Sequence, residues 1–175
     1  MPEPLGLESK TVRLAPYDAR WPLLFEAEAR GIFAAVRDAR LPELILEHIG
    51  STAVPGLAAK PILDIAAGRS PGTDSAAYIE VFESIGYVYR GDRGVIGREF
   101  FHRGSLRSHH LHLVERNGSH WLRYLRFRDA LRMDSTLAES YAELKRTLAD
   151  RYPCDREAYM AGKAEFVELV LQTPQ

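Results

Sequence analysis

The sequence predicts an α/β chain of the α+β kind, with a mixed sheet, helices on one face of it and a helical block at the C-terminus. Short alternating apolar runs interleave with helical stripes early in the chain, whereas only helical periodicity follows Asn117-Gly118-Ser119. A length of 175 residues suits one domain with a sizeable core and is too short for two ordinary ones, so residues 1–175 are read as a single domain.

Residues 10–15, Lys-Thr-Val-Arg-Leu-Ala, alternate weakly, as an edge strand or an extended arm does, and Pro16 ends them. Trp21, Leu24, Phe25, Ile32 and Val36 recur at helical spacing, which predicts an amphipathic helix over 20–38 with Asp18 as its cap and Pro22 in its first turn. Residues 43–49 form the first central strand and 61–67 the second. The period of two puts Leu63, Ile65 and Ala67 on one face of the latter and Ile62, Asp64 and Ala66 on the other. Asp74 and Ser75 start a helix through Tyr78, Val81, Phe82 and Ile85, closed by Gly86 where left-handed backbone is needed. After a short strand at 87–89 comes a glycine-rich charged loop, 91–97, open to two readings: a flap that closes over a ligand or a plain hairpin connection. Strands follow at 98–103 and 109–115. In the second of these, His110 and His112 share a face with Val114, and Leu111 and Leu113 the opposite one. Helices are predicted at 119–133, 135–151 and 155–172, the last two striped by Leu137, Tyr141, Leu144 and Leu148 and by Tyr159, Phe166, Val167, Val170 and Leu171.

Composition narrows the function. No apolar run is long enough to span a bilayer and no basic segment leads into an apolar one near the start, so a cytoplasmic protein without membrane contact is expected. Cys154 is the single cysteine, which excludes a disulfide framework and any multi-cysteine zinc site; it reads as a linker thiol rather than a reactive one. Net charge is −1, yet residues 90–132 hold ten arginines against four acids. That local excess suits an anionic ligand such as a polyphosphate, or serves as a solvated face. The near-neutral total and the lack of a recognisable reading module argue against nucleic acid.

The stretch from His48 through Gly50-Ser51-Thr52, Pro55-Gly56 and Lys60-Pro61 to Asp64 has a phosphate-handling layout. Gly50 lacks a Cβ and so lets a ligand approach the backbone, Ser51 or Thr52 can cap a short helix, and Lys60 can neutralise a phosphate as a compact charge. His48 could donate to the same anion or hold the turn by bonding backbone. Asp64 with His110 and His112 forms a ligand set suited to a divalent ion, or else the histidines contact phosphate or base.

The string HIGSTAVPGLAAKPILDI resembles the GrpB family within the polymerase-beta-type nucleotidyltransferase superfamily, as do Tyr17-Asp18-Ala19-Arg20-Trp21, residues 109–115, Phe127-Arg128-Asp129 and Asp155-Arg156-Glu157-Ala158-Tyr159, in order and over nearly the whole chain. The resemblance implies a nucleotidyltransferase-like fold. It also implies a cleft for a nucleotide or phosphorylated small molecule, with Asp64, His110 and His112 as catalytic and metal residues for Mg2+ or Mn2+. Arg128, Tyr141, Lys145, Tyr159 and Lys163 match family positions and, with His48, Gly50, Ser51, Thr52 and Lys60, make up the expected ligand-binding set. The spacing puts Tyr141 with Lys145, and Tyr159 with Lys163, on one helix face each. One departure matters: nucleotide-transferring relatives carry a second acid two residues after the first, and here that residue is Ala66. Two readings therefore stand, a nucleotidyltransferase and a non-catalytic domain that binds a nucleotide, another metabolite or a protein partner.

Overall fold

A computed structural model of the chain describes residues 4–173. Strands β1 (Ile45–Ile49), β2 (Leu63–Arg69), β3 (Tyr87–Tyr89), β4 (Glu99–Arg103) and β5 (His109–Glu115) form one sheet in the order β1-β2-β5-β4-β3. The central pair, β2 and β5, is parallel and the other pairings are antiparallel. Parallel neighbours need a long crossover; here it consists of α2 (Ala76–Ser84) and the β3–β4 hairpin.

Alternation along the central strands divides the sheet into two unlike faces. Ile65, Ala67, Phe101, Leu111 and Leu113 turn to one side, where α1 (Trp21–Asp38) and α2 cover them with Ile32, Val36, Tyr78 and Phe82. All of these side chains are at most 3% exposed, and removal from water contributes about 1.5–3 kcal/mol for each large one. Glu28 of α1 ties the helix to the hairpin by accepting from the Tyr87 hydroxyl at 2.8 Å and pairing with Arg103.

The opposite face is roofed by helices from the C-terminal block: α3 (Ser119–Met133), α4 (Ser135–Arg151), α5 (Arg156–Ala161) and α6 (Ala164–Gln172). The single helix expected over 155–172 is thus two. Asp155 caps α5 by accepting from the Ala158 N–H at 3.0 Å, and Gly162 then passes so near α4 that a Cβ would sit 2.4 Å from Leu148 Cδ2. That close approach leaves no room for a side chain between the two helices, and Lys163 stands at the joint. Residues 10–15 are an arm rather than a strand, held by the pair Ala15↔Ala59 and by the Val12 N–H on the Pro153 carbonyl at 2.8 Å. Asp18 does not cap α1 in the usual way: its carboxylate takes the Arg20 backbone N–H at 2.9 Å and the Arg20 guanidinium, and the helix begins at Trp21.

Candidate functional site

β1 delivers the chain to Gly50, whose φ of +69° puts it in the left-handed region. A single 3-10 turn, Ser51–Ala53, follows. A Cβ on Gly50 would lie 2.7 Å from Asp64 Oδ2. The missing Cβ makes room for the carboxylate of the neighbouring strand, and Gly50 lines the cleft beside it. His48 is also a shaping residue and does not line the cleft. It pairs with Ile65 across β1–β2 and so faces the helical side, where its ring stacks on Phe25 with centroids 4.9 Å apart. Its Nε2 bonds Thr52 Oγ1 at 3.0 Å, and burial lowers its pKa to about 4. Thr52 is itself buried.

Asp64 and His110 are register partners on the two central strands, and His112 pairs with Ala66. The faces inferred from alternation therefore meet. The His110 Nδ1–H donates to Asp64 Oδ1 at 3.0 Å, and His112 Nε2 lies 3.6 Å from the same oxygen. Burial lowers the pKa of His110 to about 4 despite the carboxylate, so the ring is neutral at pH 7. Burial pushes the Asp64 carboxyl up, but the hydrogen bonds from the histidines outweigh it and hold the group well below the ordinary carboxylate range. Asp64 keeps 31% of its side-chain surface open, and that opening gives onto a cleft of about 270 Å³. His110 Nε2 and His112 Nδ1 are buried without a hydrogen-bond partner among the described residues.

Basic and aromatic groups surround this carboxylate. Lys60, arriving just ahead of β2, and Lys163, at the α5–α6 joint, set their ammonium groups 5.2 and 4.6 Å from the centroid of one ring, Tyr159. Lys145 of α4 lies 4.8 Å from the Tyr141 centroid and donates to the Ala58 carbonyl. Burial, then mutual repulsion among the cations, lowers Lys60 and Lys145 to about 7; burial chiefly lowers Lys163 to about 8. None of the three has a carboxylate in ion-pair contact among the described residues. Tyr141 and Tyr159 are 4% and 1% exposed, so each is both a core residue and a floor for a lysine.

Gly50, Ser51, Thr52, Lys60, Asp64, His110, His112, Tyr141, Lys145, Tyr159 and Lys163 all line the cleft. Arg128 does not. Its guanidinium takes Glu47 at 2.6 Å, Asp129 at 2.7 Å and the His48 carbonyl at 3.1 Å, which fastens α3 to β1. Sequence reasoning passed over Arg93, Arg98, Phe100, Arg156 and Met160, which also line it. The signals were present: Arg93 and Arg98 belong to the arginine-rich segment and flank the glycine loop, and Arg156 stands in the family-like string ahead of Tyr159. Arg98 anchors that loop by donating to the Asp92 carbonyl at 2.8 Å and lies 5.3 Å from the Phe100 centroid.

The donors do not fit a resident Mg2+ or Mn2+. Both histidine nitrogens turn to one oxygen of Asp64, at 3.0 and 3.6 Å, but two imidazoles and one carboxylate are a nitrogen-rich set for ions that favour oxygen ligands, and among the described residues no group of three or more His, Cys, Asp or Glu side chains is set to hold a metal. The one carboxylate is outnumbered by Lys60, Lys145, Lys163, Arg93, Arg98 and Arg156. A second carboxylate has no room. Ala66 is fully buried with Ile49, Val114 and Trp121, and a Cβ on Gly68, next along the same face, would lie 2.7 Å from the Trp121 ring. Ala66 is thus packed in a cluster with the indole of α3, and neither residue lines the cleft.

A family model described as GrpB protein matches residues 11–173. A UPF0157 protein of Pseudomonas aeruginosa is 43% identical over 165 residues, 91% of this chain and 66% of that protein. The UPF0157 protein YqkA of Bacillus subtilis is 33% identical over 161 residues, 91% of this chain and 46% of its own length. The chain thus spans less than two thirds of both. The crystal structure of conserved protein GrpB from Enterococcus faecalis superposes with a TM-score of 0.80 at 34% identity, over 90% of this chain and 94% of that one.

Proposed function

The chain belongs to the GrpB family, and from that premise we propose that its cleft binds a nucleotide or another phosphorylated metabolite through the phosphate groups. One observation carries the reading: Lys60 and Lys163 converge on a single tyrosine ring beside Arg156, and among the described residues lining the cleft only Asp64 balances them. Partly buried ammonium groups without paired acids are costly to keep. A phosphate entering the cleft supplies the missing negative charge and removes that cost, so the residues that destabilise the empty cleft are those that hold the ligand.

Paired carboxylates around a divalent ion, the route to nucleotidyl transfer that the superfamily resemblance implies, are poorly matched by a face on which Ala66 and Gly68 lie under Trp121. Binding is therefore the primary reading. A second reading, transfer at the same site, is favoured by the Asp64–His110 hydrogen bond, which fixes the tautomer and leaves Nε2 as a base.

Calorimetry with ATP tests both. Binding without added metal is expected, weakened at least tenfold by Lys60→Gln or Lys163→Gln, and weakening as pH rises from 7.5 to 9.5, because lysines with pKa values of about 7 and 8 lose their protons there. Binding that disappears with a chelator, or that ignores both substitutions, overturns the phosphate reading. Turnover of bound nucleotide, abolished by Asp64→Asn, establishes the transfer reading.

A further inference from the structure

The cleft does not end at His110. A groove of about 940 Å³ continues from it across the sheet and shares Arg93, Phe100, His110, Arg156 and Met160 with it. Register shows its course. Asp64 on β2, His110 on β5 and His102 on β4 are successive partners across neighbouring strands and point to the same side. His102 is therefore two strand spacings from Asp64, roughly 10 Å.

The far end of the groove is basic. Arg90 donates to His102 Nε2 through Nε at 3.1 Å and Nη2 at 2.9 Å, which keeps its positive charge beside a neutral ring; His102 is lowered by burial and then by Arg90. Arg107 places Nη2 on the Glu8 carbonyl at 2.9 Å, while its Nε is buried with no partner among the described residues. His110, 6% exposed, lines both cavities, and its Nε2 is buried with no partner among the described residues. The backbone carries a separate mark. The described non-glycine residues with positive φ are Lys10, Arg40, Arg93, Arg107 and Asn117, and three of them, Lys10, Arg93 and Arg107, line this groove. Long basic residues seldom adopt that conformation, and such strain is kept where surrounding structure demands a particular placement. The acids at the rim, Asp155, which caps α5, and exposed Glu157, are outnumbered by Lys10, Arg90, Arg93, Arg107 and Arg156.

We infer that the groove around Arg90 and Arg107 is a second anion subsite, and that the ligand is a nucleotide-class molecule with two separate anionic groups, one on the Lys60–Lys163 side and the other here. Phe100 and Met160 lie between the two ends and offer an apolar bed for the portion that joins them. This rests on the phosphate reading of the cleft and adds an extended shape to it.

Three probes test the inference: inorganic pyrophosphate, adenosine 5′-monophosphate and adenosine 3′,5′-bisphosphate, each titrated by calorimetry into the wild type, Arg107→Gln, Arg90→Gln and Lys163→Gln. The bisphosphate is expected to bind at least tenfold more tightly than the monophosphate. Arg107→Gln and Arg90→Gln are expected to remove most of that advantage while leaving pyrophosphate affinity within twofold. Arg90 is exposed, so its variant keeps the test sound should Arg107→Gln fold poorly. Equal binding of the two nucleotides, or equal loss of all three probes in both arginine variants, overturns the second subsite. Pyrophosphate binding abolished by Lys163→Gln alongside such a result leaves the cleft reading standing and this one refuted. Bisphosphate binding that needs Arg107 but not Lys163 does the reverse, and no binding of any probe refutes both.

Discussion

The two faces of the central sheet are built from alternate residues of the same strands and have opposite characters. On the side covered by α1 and α2, Ile65, Leu111 and Phe101 belong to the apolar core. On the cleft side Asp64, His110 and His112 sit within one sheet thickness of that core, with lysines above them and polar atoms unpartnered. Stability resides on the first face, and the second draws on it: strain and uncompensated charge of this kind persist only where the surroundings can bear them.

Substitutions at neighbouring positions of β5 separate the two faces most sharply. Leu111→Ala, at a fully buried site, should lower unfolding stability by about 2–5 kcal/mol, read from the midpoint and slope of a urea titration. One residue back, His110→Gln, whose amide nitrogen replaces Nε2 and not the bonded Nδ1, should remove about 1–2 kcal/mol, since the hydrogen bond it takes away is charge-assisted but its acceptor stays partly solvated. The acid limb should also change. A histidine lowered from 6.5 to about 4 stabilises the fold fully above pH 6.5 and loses that contribution as pH falls through 4, so the variant should decline less over this interval, with other groups lowered by burial, His48, His102 and His109 among them, supplying decline that remains. A variant as unstable as Leu111→Ala would mean that the cleft face is a core face as well. The smallest effect has the opposite sign: Lys60→Met should raise stability at pH 7 by about 1 kcal/mol while weakening ATP binding. Because Lys60 falls from 10.5 to about 7, its neutral form favours the fold; the contribution is full above pH 10.5 and lost as pH falls through 7. Wild-type stability should accordingly climb between pH 7 and 9.5, and less steeply in the variant. A destabilised Lys60→Met would show that the ammonium belongs to the fold.

This division also explains what the sequence disclosed. Strands with a period of two and helices with Leu137, Tyr141, Leu144 and Leu148 in register were legible because burial writes a repeating pattern. Asp64, His110 and His112 were legible as one site because the same alternation fixes faces once β2 and β5 are neighbours. The split between α5 and α6 was hidden, since it depends on Gly162 meeting Leu148, a contact between distant segments. So were the roles of His48 and Arg128. Nothing local to either residue tells that one stacks on Phe25 or that the other reaches Glu47 across 81 positions.

Trp121 bears on any attempt to engineer this scaffold. Replacing Ala66 alone with Asp would not create a second metal ligand; it would lodge a charge beneath an indole, in a pocket already filled by Ile49 and Val114. A redesign toward metal-assisted chemistry has to begin on α3 by shortening the tryptophan, and only then alter the strand. The order of the two changes decides whether the intermediate protein folds.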